Sequence, residues 1–127
     1  MMKTVLVQFF LVALLSPFGV AIAGNDSNKW RIEVSEGAKS DGVITFGFTM
    51  EEDKYVVSVP IDDGVSENKI AKRIEKVLDD ELPGDKFEVD RDDGEDVVVK
   101  KRFGEEDFGL EVIENTVKAV RIDLDKE

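Results

Sequence analysis

Carboxylates are the most plentiful reactive side chains in this sequence, and they twice form an Asp-Asp-Gly run. Asp and Glu together number 29 of 127 residues, with no histidine and no cysteine. That excludes Cys-His nucleophiles, Ser-His-Asp triads and the usual zinc sites. A Ser-Lys hydrolase is still formally open. However, Ser27, Ser35, Ser40, Ser58 and Ser66 stand in no nucleophile motif, and Ser66 fits a helix cap better. Glycoside hydrolysis needs two acids at a fixed separation across a cleft. With so many acids a pair can always be drawn, so the pattern singles out none. No catalytic residue, metal ligand or cofactor is assigned, and the chain is read as a non-enzyme.

Divalent cations are the next chemistry that clustered acids suggest. Asp90-Arg91-Asp92-Asp93-Gly94-Glu95-Asp96 has the composition of a calcium loop. An EF-hand loop needs acids at positions 1, 3 and 5 with glycine at 6. Gly94 at position 6 places Val89 at 1 and Arg91 at 3, so the match fails. Asp62-Asp63-Gly64 has no ligands following at the right spacing. Both stretches read as turns, and loose calcium binding by clustered acids is the alternative.

The binding aromatics are few. Trp30 and Tyr55 alternate with aliphatic residues, as do Phe46 and Phe48, so all four are assigned to the core. Lys100-Lys101-Arg102 is the only basic run. It is read as a solvated strand end, with contact to a phosphate or a surface polysaccharide as the alternative. Pro60 cannot donate to a ladder and marks a strand end or an edge. An edge there or at residues 100–102 could accept a partner strand, and no binding residue is chosen between them.

These side chains need elements to position them. Trp30 to Val34 alternates apolar and charged residues, as a half-buried strand does. Ile44, Phe46, Phe48 and Met50 share one face of a second strand. Tyr55, Val57, Val59 and Ile61 form a third, joined to it through Glu51-Glu52-Asp53 as a hairpin. Ile70, Ala71, Ile74, Val77, Leu78 and Leu82 recur at helical spacing behind Ser66, and Pro83-Gly84 stops the helix. Phe87-Val89 and Val97-Val99 flank an Asp-Gly hairpin turn. Strands follow over 108–112 and 120–124. Phe108, Val112 and Ile113 would also suit a short helix, against which Gly109 argues. The expected fold is α+β: an antiparallel sheet of about 5–7 strands with one amphipathic helix, about residues 66–82, on one face.

The first 23 residues read as a secretory signal peptide: a basic start at Lys3, an apolar run from Thr4 to Leu15, and Ala21-Ile22-Ala23 before Gly24. The run is short for a membrane span, which needs about 20 residues. Residues 24–29 are expected to be flexible and 30–127 to form one domain. Asn25-Asp26-Ser27 fits a glycosylation sequon and is taken as chance. The expected location is periplasmic or secreted, with no disulfide to brace the fold and no membrane span after cleavage.

The chain carries 17 basic residues and a net charge of −12, which becomes −13 once Lys3 is removed. Nucleic acid and anionic lipid would be repelled, and a cationic protein attracted. The leading expectation is therefore an exported, non-enzymatic binding protein, an acidic partner or inhibitor of a cationic envelope or secreted protein. A calcium-binding protein and a carboxylate-dependent hydrolase are the other readings. The oligomeric state is not set by these features.

From Gly42 to about residue 112 the order of signals resembles the β-β-α-β-β module of flagellar hook-associated and phage tail proteins. The resemblance is carried by Ile44–Met50, Tyr55–Ile61, Asp63-Gly64-Val65-Ser66, Ile70-Ala71-Lys72-Arg73-Ile74, Phe87–Val89 and Val97–Val99. The Ile-Asn near the helix end of that motif is missing. What the resemblance implies is the fold and a docking role, not the assembly. A fainter similarity is to periplasmic phospholipid-associated BON domains, whose second long helix has no counterpart between Glu105 and Thr116.

Overall fold

A computed structural model describes residues 26–127. The alternation read in the sequence forms seven strands and one helix: β1 (Lys29–Ser35), β2 (Gly42–Met50), β3 (Asp53–Ile61), α1 (Glu67–Glu81), β4 (Phe87–Asp92), β5 (Asp96–Lys101), β6 (Phe108–Asn115) and β7 (Arg121–Lys126). The signal-peptide reading lies outside the described residues. The α+β class and the antiparallel pairing are as expected. The single sheet is not: the strands form two sheets, ordered β4-β5-β1-β7 and β3-β2-β6.

Dimensions explain the split. Seven strands side by side would span roughly 34 Å, while one helix is about 10–12 Å wide. One apolar helical stripe cannot cover such a face. Instead the inner faces of the two sheets turn toward each other. Trp30, Ile32 and Val34 of β1, and Ile44, Phe46, Phe48 and Met50 of β2, are all buried in a shared core. Helix α1 adds Ile70, Ala71, Ile74 and Leu78, packing against β3 and β4, the edge strands of the two sheets, and against β1 and β5. At the opposite margin β6 lies alongside β7 without a ladder between them.

Local chemistry sets the boundaries. The Ser66 side chain accepts the Lys69 N–H at the helix start. At its end Leu82 N–H bonds to the Leu78 carbonyl, and the Pro83 carbonyl accepts from Lys86 and Phe87. Glu51 (φ 56°) turns the β2–β3 hairpin, and Asp93 (φ 55°) turns β4 into β5. Val112 and Ile113 belong to a strand, as Gly109 suggested. Their helix-like spacing arises from a bulge: the β2–β6 register shifts between Thr45 and Phe46. Of residues 24–29, expected to be flexible, 24 and 25 lie outside the described residues, while Ser27 and Phe108 exchange two backbone hydrogen bonds and Lys29 already belongs to β1.

Candidate interaction surfaces

Alternation along the four-stranded sheet places Lys29, Arg31, Glu33 and Ser35 on its outer face. Asp96, Val98 and Lys100 of β5 and Glu88, Asp90 and Asp92 of β4 share that face, as do Arg121, Asp123 and Asp125 of β7 and Glu127 just beyond it. Counted from these names, eight carboxylates stand against four cations. The face therefore carries a share of the chain's negative charge on a hydrogen-bonded support.

Arg31 organises its centre. Its Nη1 donates to Asp96 Oδ2 at 2.8 Å and lies 3.0 Å from Asp92 Oδ2. Its Nε and Nη2 donate to the two oxygens of Glu127 at 3.2 and 3.3 Å. Hydrogen bonds to Glu127, Asp92 and Asp96 raise the Arg31 pKa, and the same contact lowers that of Glu127 below its ordinary 4.5. Asp96 is largely enclosed, with a side chain 12% exposed, and its Oδ1 has no hydrogen-bond partner in the protein. One cation thus serves three acids, and Glu33, Asp90, Asp123 and Asp125 take part in no ion pair among the described residues. Among the described residues no group of three or more acids is arranged to hold a metal ion.

The basic run is engaged rather than free. Lys101 Nζ donates to the Glu105 carbonyl at 2.7 Å and pairs with Asp107. Arg102 donates through Nε to the Gly84 carbonyl and through Nη1 to Glu88. Lys86 bonds to Glu105, which raises the pKa of the lysine. Arg102 N–H bonds to the Lys86 carbonyl, and Glu105 N–H closes a turn onto Arg102, with Gly104 at φ 89°. Phe103 sits at the tip of this clamped turn, wholly exposed. No sequence reading selected it, although a Phe-Gly pair inside a charged turn was the available signal.

The outer face of the three-stranded sheet is of another kind. Val43, Thr45, Gly47 and Thr49 lie on it from β2, Lys54, Val56, Ser58 and Pro60 from β3, and Gly109, Glu111 and Glu114 from β6. The bulge adds Ile113, whose Cδ1 would meet a Cβ on Gly47 at 2.9 Å. Val56 is 57% exposed and Ile113 46%. The Thr45 and Ser58 hydroxyls are 2.9 Å apart, and Lys54 bonds to Glu111 at 3.0 Å. Pro60 does lie on an edge strand, as its missing donor implied, but its carbonyl is taken by Arg73 of α1. Trp30 and the two phenylalanines are core residues, and Tyr55 is half-buried against Phe87.

Comparison with protein-family models, with characterised proteins and with solved structures finds no match at any of the three levels. Among the described residues no helix is long and apolar enough to cross a membrane.

Proposed function

We propose that this protein is an exported, non-enzymatic binding module that engages a cationic protein through the outer face of the four-stranded sheet. The observation that carries the reading is the excess of carboxylates on that face, fixed in register by β4, β5, β1 and β7. An open sheet face suits a macromolecule better than a small substrate, which needs a concave site. Rows of like charge on a rigid support speed the approach of an oppositely charged partner and make binding salt-sensitive. The location proposed is periplasmic or secreted, on the strength of residues 1–23. The resemblance to hook-associated and tail modules supports the same kind of role, docking without catalysis.

The test is affinity capture from the envelope fraction of the source at low and at high salt. It compares the wild type with a variant carrying Asp90→Asn, Asp123→Asn and Asp125→Asn. The expected result is a basic polypeptide held by the wild type at low salt, released at high salt and lost from the variant. Equal retention by the variant, or no retention at low salt, defeats the reading.

A further inference from the structure

A strand can join a sheet only where backbone N–H and C=O groups at an edge are unused. The two sheets have four edges, β4, β7, β3 and β6. Those of β6 and β7 lie alongside each other, and the Phe108 N–H and carbonyl are already bonded to Ser27. On β4 the Phe87 N–H donates to the Pro83 carbonyl, and Arg91 pairs with Glu75 of α1. The edge of β3 is less engaged. Val43 N–H donates to Thr116 Oγ1, and the Val43 carbonyl accepts the Thr116 N–H, both on the side away from β3. The opposed pair Val43 and Pro60 therefore makes no ladder bond. Antiparallel pairs alternate in this respect, so Lys54, Val56, Ser58 and Pro60 all turn their backbone groups away from β2. The Pro60 carbonyl agrees, since it accepts from Arg73 of α1 at 3.1 Å. Among the described residues no backbone bond outside the ladder reaches Lys54, Val56 or Ser58. All three are exposed, Val56 to 57%.

From this we infer that the free edge of β3 accepts an extended segment of a partner protein as a fourth strand of that sheet. Lys54, Val56 and Ser58 each offer one N–H and one C=O, at every second residue, and an extended backbone is what answers that alternation. Pro60 has no N–H and its carbonyl is occupied, so the added strand pairs over Lys54–Ser58 and stops there. Directly opposed residues share a face, so an apolar side chain of the segment packs on exposed Val56. Charge sets the rest. Glu51, Glu52 and Asp53 lie at the hairpin end of this edge and take part in no ion pair among the described residues, while Lys54 is held by Glu111. At the Pro60 end Arg73 stands against the strand. Antiparallel pairing is the more stable, and in that direction the segment carries basic residues after its apolar one, toward Asp53 and Glu52. The same acids disfavour a second copy. Two β3 strands paired antiparallel about Val56 would bring Asp62 and Asp63 of each copy to the Glu51–Asp53 end of the other, like charge on like at both ends.

The test is an NMR titration of the isotope-labelled full chain, expressed with its own N-terminal segment and recovered as the host processes it. Three synthetic peptides serve as probes: acetyl-Thr-Thr-Val-Thr-Thr-Lys-Lys-amide, the same peptide with both lysines moved to its N-terminus, and the first with glutamates in place of lysines. In the free protein the Val56 N–H should exchange with solvent about 100-fold faster than the Val57 N–H, which faces β2. The first peptide should shift the Lys54, Val56 and Ser58 amides and slow exchange at Val56. The second should bind several-fold more weakly, and the third should cause no shift. Val56→Pro removes an outward donor and no ladder bond, so it should abolish binding. Glu52→Lys with Asp53→Asn, at an exposed turn, should erase the preference for the first peptide over the second, and it decides the matter if the proline variant does not fold. Equal protection of Val56 and Val57 in the free protein overturns the inference. So does binding indifferent to where the lysines stand, or a folded Val56→Pro variant that still binds. Protection of Val56 that rises with the concentration of the chain alone overturns it too, by giving the edge to a second copy. The variant with Asp90→Asn, Asp123→Asn and Asp125→Asn should bind the first peptide as the wild type does, so this proposal and the cationic partner of the four-stranded sheet fail independently.

Discussion

The indole N–H of Trp30 donates to the carbonyl of Phe108 at 2.9 Å, joining β1 of one sheet to β6 of the other. The same carbonyl also accepts the Ser27 N–H at 2.9 Å, so both of its lone pairs are used at the seam. No ladder runs between β6 and β7, and these two bonds, with the Phe108 N–H donating back to the Ser27 carbonyl at 2.9 Å, are polar stitches between the sheets there. Trp30→Phe keeps an aromatic ring but removes the indole donor. The loss should be about 1 kcal/mol for the hydrogen bond, with a further loss of similar size for the packing space left behind. Urea unfolding of the two proteins checks this. An unchanged midpoint would show that the indole hydrogen bond adds nothing to the seam.

Arg31 serves three carboxylates at once, and Asp96 depends on it most, being the most enclosed of the three. Arg31→Ala should cost about 1–2 kcal/mol, mainly by leaving Asp96 without its charged donor. Adding Asp96→Asn in that background should return part of the loss, because a buried amide is less costly than an unpaired carboxylate. A double-mutant cycle by denaturant unfolding measures the coupling between the two residues. Additive effects would mean that the pair does not interact.

The same cluster sets an acid limb. Arg31 holds the Glu127 carboxylate below its ordinary 4.5, so the folded state binds this proton more weakly than the unfolded chain does. The resulting stability is complete above about pH 4.5 and is lost as the pH falls through the lower folded value. Glu127→Gln should therefore flatten the decline of melting temperature below pH 4.5 and leave pH 7 to 9 nearly parallel to wild type. A decline of the same steepness in both proteins would remove Glu127 from the account.

Much of the fold could be read from the chain because most strands bury one face only. Alternation in Trp30–Val34, Ile44–Met50 and Tyr55–Ile61 gives their period directly. The Ser66 cap and Pro83 bound the helix to within one residue. What alternation does not encode is pairing. β6 follows β5 in sequence yet pairs with β2, and β7 returns to β1, choices made by the core and by the seam at Trp30 and Phe108. The bulge at Ile113 was hidden for the same reason, since an extra residue breaks the period that would reveal a strand. The surfaces were legible only in sum. The negative charge was plain from composition, but its gathering on the outer face of one sheet depends on which strands are neighbours.

Tyr55 is the sole tyrosine, so its ionisation can be followed alone. Its ring stacks edge-on against Phe87, with centroids 5.7 Å apart. Burial, reinforced by Asp53, pushes the phenol above its ordinary 10.0. The folded state thus resists losing this proton. The stability from the neutral phenol is present below pH 10 and disappears as the pH rises toward the folded value. Absorbance titration should give a midpoint above 10 in the native protein and near 10 in concentrated urea. Tyr55→Phe should retain the packing and lessen the loss of stability at alkaline pH. A native midpoint at 10 would place the hydroxyl in free contact with water.

Gly42 opens β2 where the β6–β7 connection passes closest. A Cβ built on it would stand 2.8 Å from Thr116 Oγ1 and 2.9 Å from the Thr116 carbonyl oxygen. The neighbouring bonds hold that approach: Val43 N–H donates to Thr116 Oγ1 at 2.9 Å, and Thr116 N–H to the Val43 carbonyl at 3.0 Å. Thr116 backbone cannot retreat without breaking the pair. Gly42→Ala should therefore cost about 1–3 kcal/mol, the usual range for overpacking. Gly84, beyond the helix, has open space around its Cα and no left-handed φ. Gly84→Ala should be neutral or stabilise by about 0.4–1 kcal/mol through the unfolded chain. Melting curves of the two variants should move in opposite directions or differ by several degrees. Equal curves would mean that the β6–β7 connection gives way freely, and that the Thr116–Val43 pair does not fix the crossing between the two sheets.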